Sequence, residues 1–372
     1  MPAPRFIPVF TPLIGRAEKE YVKDCLDNNW VSQGKYIKLF EDRFSAYCGC
    51  RFGVLTSNGT TALHLAGIAF GLKDGDEVLV SASTNMASAF SMYYCGARPV
   101  PVDIELDTWQ MDTSLLEGLV TPQTRAIMVV HLFGHPVDMD PVIQTAKKHG
   151  LKIIEDCAEG HGAEYKGKKV GSLGDIGCFS FYANKIITTG EGGMVVTDSA
   201  ELADRVRDFG NFCYGKQQKF MHEAIGYNYR ISNINAAIGL GQLERIDDIL
   251  QRKRYIYERY QKNLQGTPGL HIPKVRPWAK NVMWMFNVHL DKEYRRTRDQ
   301  LRQELRERGV ETRESFVPLN RQKVFLAKGL VREDACPAAN YIMDNGFYLP
   351  SGLNLTDDDI DYVSELVKEL GK

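Results

Sequence analysis

GCFSFYANKIITTGEGGMVVTD, residues 177–198, sets one lysine, Lys185, between two apolar runs at 178–182 and 194–196. Gly190, Gly192 and Gly193 crowd the approach to the second run. The pattern reads as strand, turn and strand, with the lysine in the turn. An ammonium walled in by β-forming residues is costly to bury unless it is neutralised, paired or used covalently. A solvated loop lysine is the competing reading, and the rest of the chain must decide between them.

Upstream of this hairpin, short apolar runs at 53–56, 77–81, 99–103, 126–131 and 152–156 alternate with helical periodicity at 61–72, 87–95, 113–120 and 141–149. Such alternation predicts a doubly wound α/β fold, its mainly parallel sheet covered by helices on both faces. Ligands of these folds bind at the carboxyl ends of strands. Two further amphipathic helices, 15–28 and 36–47, flank a turn at 30–34. Downstream, a helix near 200–209 leads into a polar irregular stretch, 210–228, and then into one long helical pattern, 234–264. The expected division is an N-terminal segment and large domain over 1–250, then the long-helix connection and a smaller α+β domain over 251–372. The smaller unit carries strand patterns at 283–290 and 310–316 and helical ones at 296–308, 335–344 and 357–370.

Lys and Arg number 46 against 47 Asp and Glu, so neither nucleic acid nor an anionic membrane surface is favoured as a partner. The eight cysteines, Cys25, Cys48, Cys50, Cys95, Cys157, Cys178, Cys213 and Cys336, are scattered. They form neither a disulfide framework nor a zinc spacing, which suits a reducing cytoplasm, and no metal is expected. MPAPRFIPVFTPLIGRAEKE lacks the apolar core of a signal peptide, and no run is long enough to span a bilayer.

Four other stretches bear on Lys185. TSNGTTAL, 56–63, is a Gly-containing strand-to-helix turn whose free N–H groups and hydroxyls suit a phosphate at the helix N-terminus, although ordinary capping also uses Ser, Asn and Thr. IIEDCAE, 153–159, brings Asp156 and Glu159 to the end of an apolar strand, where acids also serve as caps. Ser180 lies just upstream of the lysine, and GYNYRISN, 226–233, is a polar cluster ahead of the long helix that a capping role also explains.

Taken in order, SNGTTALHLAG, EDCAEGHGA, SLGD with FSFYANKIITTGEGGMVVTD, and GYNYRISNINAAIGLGQLERID resemble the DegT/DnrJ/EryC1/StrS sugar aminotransferases. The resemblance runs from FTPLIGRAEKEYV and WVSQGKYIKLFE to LPSGLNLTDDDI, nearly end to end. It implies a pyridoxal 5'-phosphate enzyme of the aspartate aminotransferase fold (fold type I). By resemblance, Lys185 forms the Schiff base with the cofactor and later carries a proton, as a neutral amine can. Asp156 pairs with the pyridine nitrogen, and Glu159 contacts or neighbours the phenolic oxygen. Gly59, Thr60 and Ser180 match the phosphate cradle. Asn228 matches a residue that reaches the phosphate from the neighbouring subunit, which implies a homodimer with composite sites. His161 reads as structural, while His131, at a strand end, fits a structural or a site role equally well.

One position departs from the family pattern. Asn85 stands in STNMAS where an aromatic ring usually stacks on the cofactor, and an amide cannot supply that contact. Met86 is a candidate cover, and altered substrate placement is the alternative. On the substrate side, Trp30, Ser32 and Gly34 border the nucleotide-sugar site by resemblance. Arg313 matches a family arginine able to hold a diphosphate or a carboxylate, with a surface salt bridge as the competing reading. The implied reaction moves an amino group from L-glutamate, through the pyridoxamine form, to the keto carbon of a nucleotide-linked 4-keto-6-deoxy sugar for polysaccharide synthesis. C3 amination, a cyclitol ketone acceptor and a non-catalytic cofactor-binding regulator are the alternatives.

Overall fold

The computed structural model describes residues 5–215, 218 and 220–372. Residues 1–4, where the reading of the N-terminus begins, and 216, 217 and 219 of the irregular stretch lie outside the described residues. Helices α1 (Arg16–Asp27) and α2 (Lys35–Cys48) precede β1 (Phe52–Thr56). Then come α3 (Gly59–Ala69), β2 (Glu77–Ser81), α4 (Ala87–Tyr94), β3 (Arg98–Val102), α5 (Leu116–Leu119), β4 (Thr124–Val130), α6 (Met139–His149) and β5 (Lys152–Asp156). The short strands β6 (Glu164–Tyr165) and β7 (Lys168–Lys169) lead to the lysine hairpin, β8 (Ile176–Ser180) and β9 (Gly193–Thr197), followed by α7 (Ala200–Gly210).

The large sheet has seven strands in the order β1-β9-β8-β5-β4-β2-β3. The pairs among β8, β5, β4, β2 and β3 are parallel, whereas β9 runs antiparallel to both β1 and β8. The hairpin expected around Lys185 therefore lies within the sheet rather than at its edge. Neighbouring residues on a strand point to opposite faces. Val54, Val80, Met128, Ile154, Cys178 and Val195 enter a core shared with α3, α4 and α7. Their neighbours Leu55, Leu79, Ile127, Ile153, Phe179 and Val196 enter cores on the other face. Burial on both sides explains why these strands read as continuous apolar runs.

The expected single helix at 234–264 is two, α8 (Asn233–Leu243) and α9 (Ile246–Leu264). Their break is at Arg245, whose Nε donates to buried Glu18 at 3.0 Å while Nη2 reaches the Leu13 carbonyl. The acid that turns this corner belongs to α1, far away in sequence, so periodicity alone merges the two helices. α9 carries Ile246 and Ile249 in the large core and Ile256, Tyr257, Tyr260 and Leu264 in a second core.

That second core surrounds a four-stranded sheet. The chain adds β10 (Leu270–His271), β11 (Ala279–Lys280), β12 (Phe286–Leu290), α10 (Arg298–Glu307), β13 (Arg313–Glu314), α11 (Lys323–Ala327), α12 (Pro337–Asn345), β14 (Gly346–Leu349) and α13 (Asp357–Gly371). The order is β10-β12-β14-β13, while β11, β6 and β7 form a small separate sheet. Ile7 from the N-terminal segment joins this core and bridges to Val310.

Two strand expectations shorten. Within 310–316 only Arg313–Glu314 joins the sheet, because Val310 pairs with Ile7 and Phe316 turns to line a cavity. Within 283–290 the strand starts at Phe286, because Met283 has φ +55° and the Trp284 N–H is taken by the Phe133 carbonyl at 3.2 Å. Both departures deliver aromatic rings to the same cavity.

Candidate active site

A cavity of about 520 Å³ opens at the carboxyl ends of β5 and β8. Gly59, Thr60, Asn85, Asp156, Glu159, Ser180 and Lys185 all line it, so the fold gathers seven of the residues picked out in the sequence. Lys185 rests in the turn of the β8–β9 hairpin, where its N–H donates to the Tyr182 carbonyl at 2.9 Å. Its Nζ donates to Glu159 Oε1 at 3.4 Å and lies 4.2 Å from the centroid of the Trp284 ring.

Asp156 ends β5 and is buried. Ser88 Oγ donates to its Oδ2 at 2.7 Å and the Ala158 N–H to its Oδ1 at 3.1 Å. Burial raises its pKa, while the two donors and the charge of Lys185 pull the other way. Glu159 is raised for the same reason, opposed first by Lys185 and then by the Phe133 N–H, which donates to Oε2 at 2.7 Å. Two buried carboxyls near one ammonium leave the cavity acidic overall, which suits a ligand that brings a cationic N–H. His161 is sealed among Phe44, Phe179 and Phe181, and burial lowers its pKa to about 3, so it stays neutral.

The opposite end of the cavity is built for an anion. Asn58 caps α3 through its side chain, accepting from the Thr61 N–H at 2.9 Å. The N–H groups of Gly59 and Thr60, the first two of the helix, have no acceptor within it and carry the positive end of its dipole. Close packing explains two glycines here. A Cβ on Gly59 would stand 2.7 Å from that of Ser180, and one on Gly193 would stand 2.3 Å from the Asn58 carbonyl oxygen. Both positions must be small for β8, β9 and α3 to converge.

Pyridoxal phosphate fits this arrangement. Gly59, Thr60 and Ser180 would take its phosphate, Asp156 its pyridine nitrogen and Lys185 its aldehyde. Asn184 Oδ1 is buried on the cavity wall with no partner among the described residues, as expected of a group awaiting a ligand. Asn85 borders the cavity but spends its Oδ1 on capping the Ala87 N–H at 3.0 Å. Met86 does not provide the missing cover, because it packs against the core between α3 and α4. The aromatic walls are Tyr182, Trp284, Phe316 and Tyr348. Tyr182 ends the apolar run before the lysine, but no pattern in the sequence marks Trp284, Phe316, Tyr348 or Ser88 as lining a site, and only the register of distant segments brings them there.

Asn228, Trp30, Ser32, Gly34 and Arg313 lie outside this cavity. Asn228 is exposed, beside Tyr229, whose carbonyl accepts the Ser57 N–H at 2.7 Å. Trp30, Ser32 and Gly34 line a separate cavity of about 500 Å³ together with Tyr229 and Arg230. The Asn233 amide fixes this turn, donating to the Trp30 carbonyl at 2.7 Å. Arg313 is exposed and ion-paired with Glu311 at 2.7 Å, as the plainer reading expects, but it pairs across β13–β14 with cavity-lining Tyr348. Residues directly opposite on two strands share a face, so Arg313 stands on the cavity side of the sheet.

His131, Glu155 and Cys157 also cluster in the interior. Glu155 Oε1 accepts from the N–H groups of Leu173 and Gly174, both at 2.7 Å, and Oε2 accepts from Gly171 N–H at 2.8 Å and His131 Nε2 at 3.0 Å. Its oxygens are thus spent on the turn that feeds β8.

A fold of this topology with a hairpin lysine, a strand-end aspartate and a helix-capped anion pocket defines a pyridoxal-phosphate enzyme of fold type I, the aspartate aminotransferase fold. Residues 12–368 match the DegT/DnrJ/EryC1/StrS aminotransferase family, and the chain belongs to it. It is 42% identical to GDP-perosamine synthase of Escherichia coli O157:H7 over 98% of both chains. It is also 42% identical to the enzyme of that name from Caulobacter vibrioides over 96% of both. Among solved structures, a putative sugar aminotransferase from Streptococcus pneumoniae in its PMP form superposes with a TM-score of 0.94 at 29% identity, covering 98% of each chain. The protein is a sugar aminotransferase that uses pyridoxal phosphate. Among the described residues no helix is long and apolar enough to cross a membrane.

Proposed function

We propose that the enzyme takes an amino group from L-glutamate and places it on the C4 keto carbon of a GDP-linked 4-keto-6-deoxy sugar, as a perosamine synthase would, for O-antigen or related polysaccharide. The observation that carries this reading is the likeness to GDP-perosamine synthases over nearly the whole of both chains, joined to a cavity that holds Lys185, Asp156 and Glu159 together.

When bound, the cofactor supplies an aldehyde that accepts and passes on the amino group, and a ring that draws electrons from the reacting carbon. Lys185 Nζ anchors that aldehyde covalently and, once displaced by an incoming amine, takes up and returns the proton at the reacting carbon. Glu159 Oε1, 3.4 Å from Nζ, holds the amine in place. Asp156 holds the proton on the pyridine nitrogen, and Ser88 keeps its carboxylate aimed. Trp284, Phe316 and Tyr348 exclude water from the reacting atoms.

The homodimer belongs to the same proposal. Exposed Asn228 and the turn of Trp30, Ser32 and Gly34 lie on one side of the chain, with Tyr229 and Arg230 between them. A second copy docked there would receive Asn228 at its phosphate and the turn at its sugar nucleotide, with Arg313, on the same face of the small sheet as Tyr348, holding diphosphate or the glutamate carboxylate. The test is turnover with L-glutamate on a panel of acceptors: GDP- and dTDP-linked 4-keto-6-deoxy sugars, a 3-keto sugar nucleotide and a cyclitol ketone. The GDP-linked 4-keto sugar is expected to turn over fastest. Turnover confined to any other acceptor contradicts the proposal.

A further inference from the structure

A second lysine, Lys253 on α9, is only 1% exposed, and among the described residues no acid pairs with it. Its Nζ donates to the Trp284 carbonyl at 2.8 Å and to the Ser351 carbonyl at 2.6 Å, and lies 5.1 Å from the centroid of the Phe10 ring. An ammonium buried on carbonyls alone is an expensive way to fill a core, because a methionine of similar length would occupy the space without desolvating a charge. Burial pulls its pKa down to about 7.

The two acceptors have specific places. Trp284 stands two residues before β12 and Ser351 two residues after β14, at the end of that strand pair where Phe286 faces Leu349. Ser351 closes the arrangement, its Oγ accepting the Phe286 N–H at 2.9 Å and donating to the Leu349 carbonyl at 2.9 Å. Trp284 in turn spans the cavity wall. Its Nε1–H donates to the Asn184 carbonyl at 2.7 Å, one residue before Lys185, and its ring covers the Lys185 amine.

We propose that Lys253 is a positioning residue for the reaction: by clasping the Trp284 and Ser351 carbonyls it holds the Trp284 indole against Lys185 and so fixes where that amine points. The inference deepens the reading of Lys185 as the cofactor lysine and rests on it. It also gives the cavity a rigid aromatic face on the side of the lysine, in a chain whose residue 85 is an amide. The indole face attracts the ammonium, and its Nε1–H bond to the lysine's own turn keeps the ring from swinging away.

The test is fluorine NMR of the full chain labelled with 5-fluorotryptophan. The four tryptophans give four lines, and Trp284→Phe assigns the one of interest. In the cofactor-free parent, Lys185→Met should displace the Trp284 line. In a Lys253→Met background the same Lys185→Met change should displace it by about half as much or less, the non-additivity of coupled residues. In the loaded enzyme, Lys253→Met should lower kcat by about ten-fold with KM for the sugar little changed, the mark of misplaced reacting groups. Undiminished displacement of the Trp284 line in the Lys253→Met background overturns the proposal. Should Lys253→Met fail to accumulate as folded protein, Lys253→Gln, neutral and shorter, is read in the same way. Adding pyridoxal phosphate to the parent separates the two readings: a protein that stays colourless, its Trp284 line unmoved, refutes the assignment of Lys185. The coupling of Lys253 to Trp284 is read without cofactor and is decided independently.

Discussion

Glu155 and Asp156 are adjacent acids at the end of one strand, both buried, and they do opposite things. Glu155 faces the turn ahead of β8 and is saturated by four N–H donors. Asp156 faces the cavity and, among the described residues, receives only Ser88 and the Ala158 N–H. A strand turns successive side chains to opposite faces, so one step along the chain separates a group that holds the fold from a group left free to hold a ligand. Burial alone does not mark a reacting carboxylate. Unspent lone pairs directed into a cavity do.

The comparison is broken most directly by neutralising each acid in turn. Asp156→Asn keeps the shape and removes the charge, and should lower kcat by roughly 100- to 1000-fold with little loss of stability, read by steady-state kinetics beside a urea melt. Glu155→Gln should do the reverse. An amide cannot accept from all four donors, so stability should fall by about 3 kcal/mol while kcat per folded molecule moves only a few-fold. A stable Glu155→Gln protein without activity would erase the distinction.

Burial also raises the pKa of both cavity carboxyls, Asp156 and Glu159, and this sharpens the contrast through pH. A carboxyl whose folded pKa lies above its unfolded value binds its proton more tightly in the native state. Its contribution to stability is present below the ordinary carboxylate range, near pH 4, and is lost as pH rises through the folded value. Urea melts of cofactor-free protein should therefore show this loss on going up in pH, reduced in Asp156→Asn/Glu159→Gln and in protein loaded with pyridoxal phosphate. The smallest effect belongs to Ser88→Ala. Losing one donor to Asp156 should cost roughly five-fold in kcat, about 1 kcal/mol.

Much of this was legible in the sequence where one segment sufficed. The alternation of runs from 53 to 156 yields the layered sheet, and the lysine hairpin falls where its flanking apolar runs put it. The resemblance supplied Asp156, Glu159, Gly59, Thr60 and Ser180 as partners, and all of them line the cavity with Lys185. What could not be read depends on distant pairings. Glu18 bends the chain at Arg245, Ser88 reaches Asp156 across the sheet, and Trp284 arrives over Lys185 because Phe133 and Lys253 hold its backbone. Met86 as a cover for the ring failed for a similar reason: it caps α4, which starts at Ala87, and its side chain packs against the core.

The central claim is that Lys185 is the cofactor lysine. The most direct measurement is reduction of the yellow, pyridoxal-phosphate-loaded protein with borohydride, followed by peptide mass spectrometry. The account predicts a single phosphopyridoxyl group, carried by Lys185, and none after prior treatment with L-glutamate has discharged the colour. A label on any other lysine, or colour that persists and reduces normally in Lys185→Ala, would contradict it.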